Sequence, residues 1–188
     1  MTQQPEEVRL VPPVSENDHI RGPADAPIIL VEYGDYDCPY AVKAYSVVNG
    51  LRERLGDRMR FVYRAFPLTE MHNHAQAAAE AAEAAATQGK FWEMHDKLFE
   101  VNRKLEGEDL RRYAQEAGLD LPRFERETAE HAHAGRVREA MESALASEVQ
   151  ETPTFFINGV RHDGSEDLET LLAAMEGNPG ESSGQGSR

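Results

Sequence analysis

The chain has 188 residues, with 20 Lys and Arg against 34 Asp and Glu and a formal net charge of −14 at pH 7. That length suits one ordinary domain with its own core, and the apolar stretches are short and broken by charges, so none reaches the ~18 residues that span a bilayer. Strong negative charge repels phosphate backbones and anionic lipid, and a single cysteine excludes an internal disulfide framework.

Residues 1–18 hold three prolines and many polar groups without periodicity, so they read as a loose arm. They contain neither a basic first segment nor an apolar run before a small-residue cleavage site, and the expectation is a soluble, cytoplasmic chain. After turn signals at 21–27, Ile28-Ile29-Leu30-Val31-Glu32-Tyr33 has the β-branched, apolar character of a strand buried on both faces. Gly34-Asp35-Tyr36-Asp37 breaks that strand. From Pro39, Ala44, Val47, Val48, Leu51 and Leu55 fall at helical spacing up to Gly56. Residues 59–66 alternate apolar side chains with Arg60 and Arg64 and end at Pro67, a second strand, so the opening is a parallel βαβ unit.

The middle of the chain reads as helices. They cover 75–86, a stripe of Phe91, Met94, Leu98 and Val101, and 109–117 ahead of Gly118. One more is capped by Asp120 with Pro122 in its first turn, and another carries Val137, Met141 and Leu145. Strand character returns at Thr154-Phe155-Phe156-Ile157, Asn158-Gly159 marks a hairpin turn, and Val160-Arg161-His162 forms its second arm. Leu168, Leu171, Leu172 and Met175 give a last amphipathic helix before a polar tail at 177–188. The core order is βαβ, helices, ββα.

Cys38 stands where a buried strand passes into a helix. Backbone N–H groups at a helix N-terminus favour thiolate over thiol and so make a nucleophile. Asp35 and Asp37 oppose this unless their carboxylates point away. The plainer reading, an inert cysteine packed as a small hydrophobe, is weakened by that position. His72 and His74, and His131 and His133, invite a metal reading, but residues two apart on a helix point in different directions. A solvated or capping role is expected for them, with no metal site. Phe91, Trp92 and Met94 read as core of the helical region.

Four blocks carry a resemblance. They are Glu32-Tyr33-Gly34-Asp35-Tyr36-Asp37-Cys38-Pro39-Tyr40, Phe66-Pro67-Leu68, Gln88-Gly89-Lys90-Phe91-Trp92-Glu93-Met94-His95 and Thr152-Pro153-Thr154-Phe155-Phe156-Ile157-Asn158-Gly159. In that order they resemble the DsbA-like branch of the thioredoxin superfamily. The resemblance implies an α/β thioredoxin fold, residues 19–71 and 149–176, interrupted by a helical insertion at 72–148 and flanked by the arm 1–18 and the tail 177–188. It implies Cys38 as catalytic nucleophile, Pro39, Tyr40 and Ala41 as the rest of its motif, and Thr152, a cis Pro153 and Tyr36 as substrate-binding residues. Without the resemblance, Pro153 is an ordinary trans proline opening a strand.

The family pattern Cys-Pro-Tyr-Cys stands here as Cys38-Pro39-Tyr40-Ala41. The internal resolving thiol is therefore missing, and product release falls to an external thiol. The implied function is a monothiol thiol–disulfide oxidoreductase acting by exchange, isomerisation or deglutathionylation. Its expected partners are cysteine-containing proteins or peptides, with glutathione as candidate co-substrate, no metal or other cofactor, and no nucleic-acid or membrane partner. Two alternatives share the site: a peptide- or thiol-binding module without turnover, and a reversibly oxidised sensor.

Overall fold

The apolar, β-branched run at Ile28–Gly34 becomes the central strand β2 of a five-stranded sheet. The structure is a computed structural model describing residues 6–100 and 104–177. The first five residues of the expected arm, Val101 of the expected helical stripe and the expected tail beyond 177 lie outside the described residues. With β1 at His19–Arg21, β3 at Met59–Ala65, β4 at Thr154–Ile157 and β5 at Val160–Arg161, the strand order is β1-β3-β2-β4-β5. Among the described strands only β2 and β3 run parallel, from Ile28 opposite Met59 to Gly34 opposite Ala65, and helix α1 (Pro39–Leu55) connects them. This is the expected βαβ unit. Strand β1 was not anticipated, because three half-buried residues are too few for alternation to show.

Successive side chains of β2 point to opposite faces and feed two cores. Ile28 and Leu30 pack with Phe61, Phe155, the inner side of α1 (Ala44, Val48, Leu51, Leu55) and Leu171 and Met175 of the last helix, α7 (Leu168–Gly177). Val31 and Tyr33 pack on the other side with Val62, Phe156, Ala144 and Val149. Between β3 and β4 run α2 (Ala75–Ala86), α3 (Phe91–Glu100), α4 (Gly107–Glu116), α5 (Leu121–Ala129) and α6 (Ala134–Ala146). Alanines on most of α2 are buried, small enough for neighbouring helices to approach from several sides. Asp120 caps α5 as expected, accepting from the Arg123 N–H at 2.9 Å. No described helix is long and apolar enough to cross a membrane.

Two expectations need correction. Leu145 is 66% exposed, whereas Ala144 is fully buried. Seven residues make nearly two whole helical turns, so Ala144 rather than Leu145 lies above Val137 on the inward stripe of α6. Residues 6–18 are docked rather than loose. Arg9 bridges Val160 antiparallel, the Leu10 N–H donates to Gly159 O at 2.9 Å, and the Arg161 N–H donates to Val8 O at 2.9 Å. The segment thus covers the outer edge of β5, where unpaired backbone groups would otherwise face solvent. Ser147 Oγ both accepts from the Val11 N–H at 2.8 Å and donates to Val11 O at 3.0 Å.

A buried ion pair finishes the docking. Arg64 on β3 donates to both carboxylate oxygens of Asp18, at 2.8 and 3.0 Å, and also to Tyr33 Oη and Pro12 O. Burial works to raise the Asp18 carboxyl, but the Arg64 bonds overcome it and leave the group below its ordinary value. Removing one member of a buried pair leaves an uncompensated charge. Arg64→Leu is expected to cost about 3–5 kcal/mol in urea unfolding, and adding Asp18→Leu should return part of that loss.

Candidate functional site

The site is built at the carboxyl end of β2. A Cβ on Gly34 would lie 2.6 Å from Tyr63 Cε2 and 3.0 Å from Glu32 Oε1, so only glycine lets the Tyr63 ring pass there. The turn that follows is held by its own side chains. Asp35 Oδ1 accepts from the Asp37 N–H at 2.8 Å, while Oδ2 accepts from the Leu68 N–H at 2.9 Å and lies 2.7 Å from His72 Nδ1. Asp37 Oδ2 accepts from the His74 N–H at 3.1 Å. Both carboxylates are thereby directed into the loop between β3 and α2.

Cys38 is the N-cap residue of α1, in extended conformation, with Pro39 beginning the helix. Its sulfur makes no capping hydrogen bond to the first-turn amides; instead the thiol donates to Thr152 O at 3.3 Å. Cys38 is 3% exposed, whereas Tyr40 is 71% exposed at the rim. Ala41 is fully buried on the inner side of α1. The Thr152–Pro153 peptide is cis. Because Thr154 lies opposite Tyr33 in the β2–β4 register, the loop is carried directly onto the start of α1. Thr152 Oγ1 is buried without a hydrogen-bond partner among the described residues. Beside Pro153 opens a hollow of about 590 Å³ whose lining includes Glu148, Glu151, Arg161 and Glu166.

The structure therefore gathers Cys38, Pro39, Tyr40, Ala41, Thr152 and Pro153 in one place, and treats Tyr36 differently. Tyr36 is 1% exposed and its hydroxyl is 2.9 Å from His95 Nδ1, so it offers no surface to a substrate. Its place is under the turn. The histidine pairs sit in turns ahead of α2 and α6 and make no side-chain caps. Each contacts a carboxylate: His72 with Asp35, His74 with Glu106, His131 with Glu80 and His133 with Glu127. No group of three His, Cys, Asp or Glu that could hold a metal occurs among the described residues.

Sequence reasoning missed two buried titratable groups beside this turn. Glu32 is 2% exposed, and its Oε1 has no hydrogen-bond partner among the described residues. Burial, and then the charge of Glu166, push its carboxyl up to about 8. His95 is 2% exposed among aromatic rings, and burial, then Arg21, drive it well below the ordinary imidazole range. The signal for Glu32 was present: one acid inside a strand whose neighbours are apolar on both faces.

The chain matches the family model described as Thioredoxin over residues 14–177. Among solved structures it is similar to a thioredoxin-like oxidoreductase from Silicibacter pomeroyi DSS-3, at 28% identity, TM-score 0.76, with 86% of this chain and 92% of that one covered. It also resembles oxidised BdbD from Bacillus subtilis, at 23% identity and TM-score 0.74 over 84% of this chain and 90% of that one, a likeness of fold alone. A curated relative, Na(+)/H(+) antiporter NhaA 3 of Salinispora tropica, is 48% identical over 168 residues, which is 88% of this chain and 25% of that protein. Na(+)/H(+) antiporter NhaA of Herminiimonas arsenicoxydans is 45% identical, covering 89% of this chain and 27% of that protein. The chain spans about a quarter of the length of these curated relatives.

The raised Glu32 carboxyl has a stability consequence of definite sign. Between the unfolded value near 4.5 and the folded value near 8, the unfolded chain releases a proton that the folded one keeps, so stability falls as pH rises through that window. Glu32→Gln removes this loss. The variant should gain on wild type from pH 5 to pH 8 by at most about 1.4 kcal/mol per pH unit in urea unfolding; a stability difference independent of pH would contradict the assignment.

Proposed function

The chain belongs to the thioredoxin family, and from that premise we propose that it is a DsbA-like, monothiol thiol–disulfide oxidoreductase working on cysteine-containing proteins or peptides through Cys38. One observation carries the reading: a single cysteine at the start of α1 faces the Thr152 carbonyl, while the residue three positions on is a fully buried alanine. In the reaction, the Cys38 thiolate attacks one sulfur of a substrate disulfide. The S–S bond breaks, its electron pair leaves on the other sulfur, and that thiolate takes up a proton. A mixed disulfide with Cys38 remains.

With alanine at 41, no internal thiol can attack the mixed disulfide, so an external thiol does so, forming a new disulfide with the substrate sulfur and returning Cys38 as thiolate. One disulfide and one thiol enter, one of each leaves, and the protein is not oxidised overall. Glutathione is the external thiol this reading names, in a thiol-rich compartment such as the cytoplasm. The hollow beside Pro153 supports it by leaving room for chain that flanks a substrate cysteine. The antiporter names belong to much longer proteins, and ion transport forms no part of the proposal.

A binding module without turnover is favoured by a different observation, the 3% exposure of Cys38. Reduction of a glutathione mixed disulfide, coupled to glutathione consumption, separates the two. Turnover above the uncatalysed rate, abolished in Cys38→Ser, is expected; a wild-type rate equal to background would leave the binding module. Ala41→Cys should in addition let Cys38 form a disulfide with the introduced thiol under mild oxidation, detected as a mass loss of about two hydrogens.

A further inference from the structure

The turn that delivers Cys38 is tied down on two sides. Asp35 and Asp37 bind the loop after β3, and the third tie, from Tyr36, goes the opposite way into the helical layer. Its partner, His95 on α3, takes no direct part in the exchange steps. His95 cannot turn freely: the rings of Tyr63, Trp92 and Phe99 meet it edge-on with centroids 4.6, 5.0 and 5.1 Å away. Tyr36 is confined in the same way by Tyr63 and Phe99, at 5.2 and 4.8 Å.

Helix α3 is itself fixed to the far side of the sheet. Trp92 Nε1 donates to Ile20 O of β1 at 3.0 Å, and Arg21 donates to both oxygens of Asp96 while its guanidinium lies 4.5 Å from the centre of the Trp92 ring. Tyr45 of α1 donates to Asp96 and Glu100. A chain of contacts therefore runs from β1 through α3 to the residue two before the cysteine. Burial raises the Tyr36 phenol well above its ordinary range and lowers His95, so both groups stay neutral and the bond persists across the physiological range.

We propose that His95 is a positioning residue for Cys38: through the Tyr36 hydroxyl it holds the Gly34–Cys38 turn closed against the Thr152 carbonyl. For exchange chemistry this rests on the monothiol reading above; for the geometry of the thiol it does not. Breaking the bond lets the turn open and exposes a sulfur that is otherwise covered, while misaligning it for attack on a disulfide held beside Thr152. Accessibility should rise as exchange falls. A residue that only stabilised the fold would change unfolding without moving these two rates in opposite directions.

The test is the rate of Cys38 alkylation by iodoacetamide, with far-UV circular dichroism confirming the fold. Tyr36→Phe, which keeps the ring, and His95→Leu should each raise that rate about fivefold, the size expected for one neutral hydrogen bond lost from a local opening equilibrium. The double variant should react no faster than either single one, and His95→Asn, which keeps a polar atom near the Nδ1 position, should return toward wild type. An unchanged rate in Tyr36→Phe, or multiplicative effects in the double variant, overturns the proposal. Absence of exchange activity in wild type with the alkylation pattern intact would instead sink the oxidoreductase reading and leave the positioning role standing.

Discussion

The contact of Cys38 Sγ with Thr152 O joins residues 114 positions apart, and it exists because β4 lies beside β2 in one register. Leu30 faces Ile157 and Tyr33 faces Thr154. Slipping that pairing by one residue would turn Val31, Tyr33 and their partners to the wrong core and carry the proline loop off the helix start. The register is held where the hairpin turns: Asn158 Oδ1 accepts from the Ile29 N–H at 2.8 Å, and the Asn158 N–H donates to Ile29 O at 2.9 Å. Asn158 and Gly159 both have positive φ, 49° and 83°, as this tight turn requires.

The turn between β2 and α1 is held from two directions. Negative charge is unfavourable to bury, especially in an already acidic chain, and Asp35 and Asp37 are tolerated because backbone amides and His72 meet their oxygens. Those bonds draw the carboxylates away toward the 66–74 loop, while Tyr36 reaches the helical layer. The helices between β3 and β4 are therefore more than an addition to the sheet, since one of them supplies the group that Tyr36 of the Cys38 turn meets. Glu32 lies under the same turn without such relief and keeps a proton where an ordinary carboxyl would have lost it.

The outer face is held in a different way. Strand β5 has two residues and would be a bare edge; the segment 6–14 closes it with backbone bonds, and Pro12 O and Asp18 are tied through Arg64 to β3 and, by way of Tyr33 and Ser143, to α6. Leu10 is buried, and Val8 and Val14 pack partly buried against the same core. These side chains are too few and too irregularly spaced to show a period, which is why the proline-rich composition suggested freedom.

Element order and type could be read along the chain because they follow from local rules. Alternation over β3, the stripe of α1, Pro39 and Asp120 at helix starts, and Asn158-Gly159 at the hairpin each act within a few residues. The cysteine's place at a helix start was legible for the same reason, and the departure at Ala41 stands in the sequence itself. What the chain order left open were matters of distance and burial: that Tyr36 points inward to His95, that Asp35 and Asp37 face the loop, that Leu145 misses the core by part of a turn, and that Glu32 Oε1 is buried with no hydrogen-bond partner among the described residues. Each depends on which groups from remote segments arrive at a given point, and periodicity records the direction of a side chain but not what it meets.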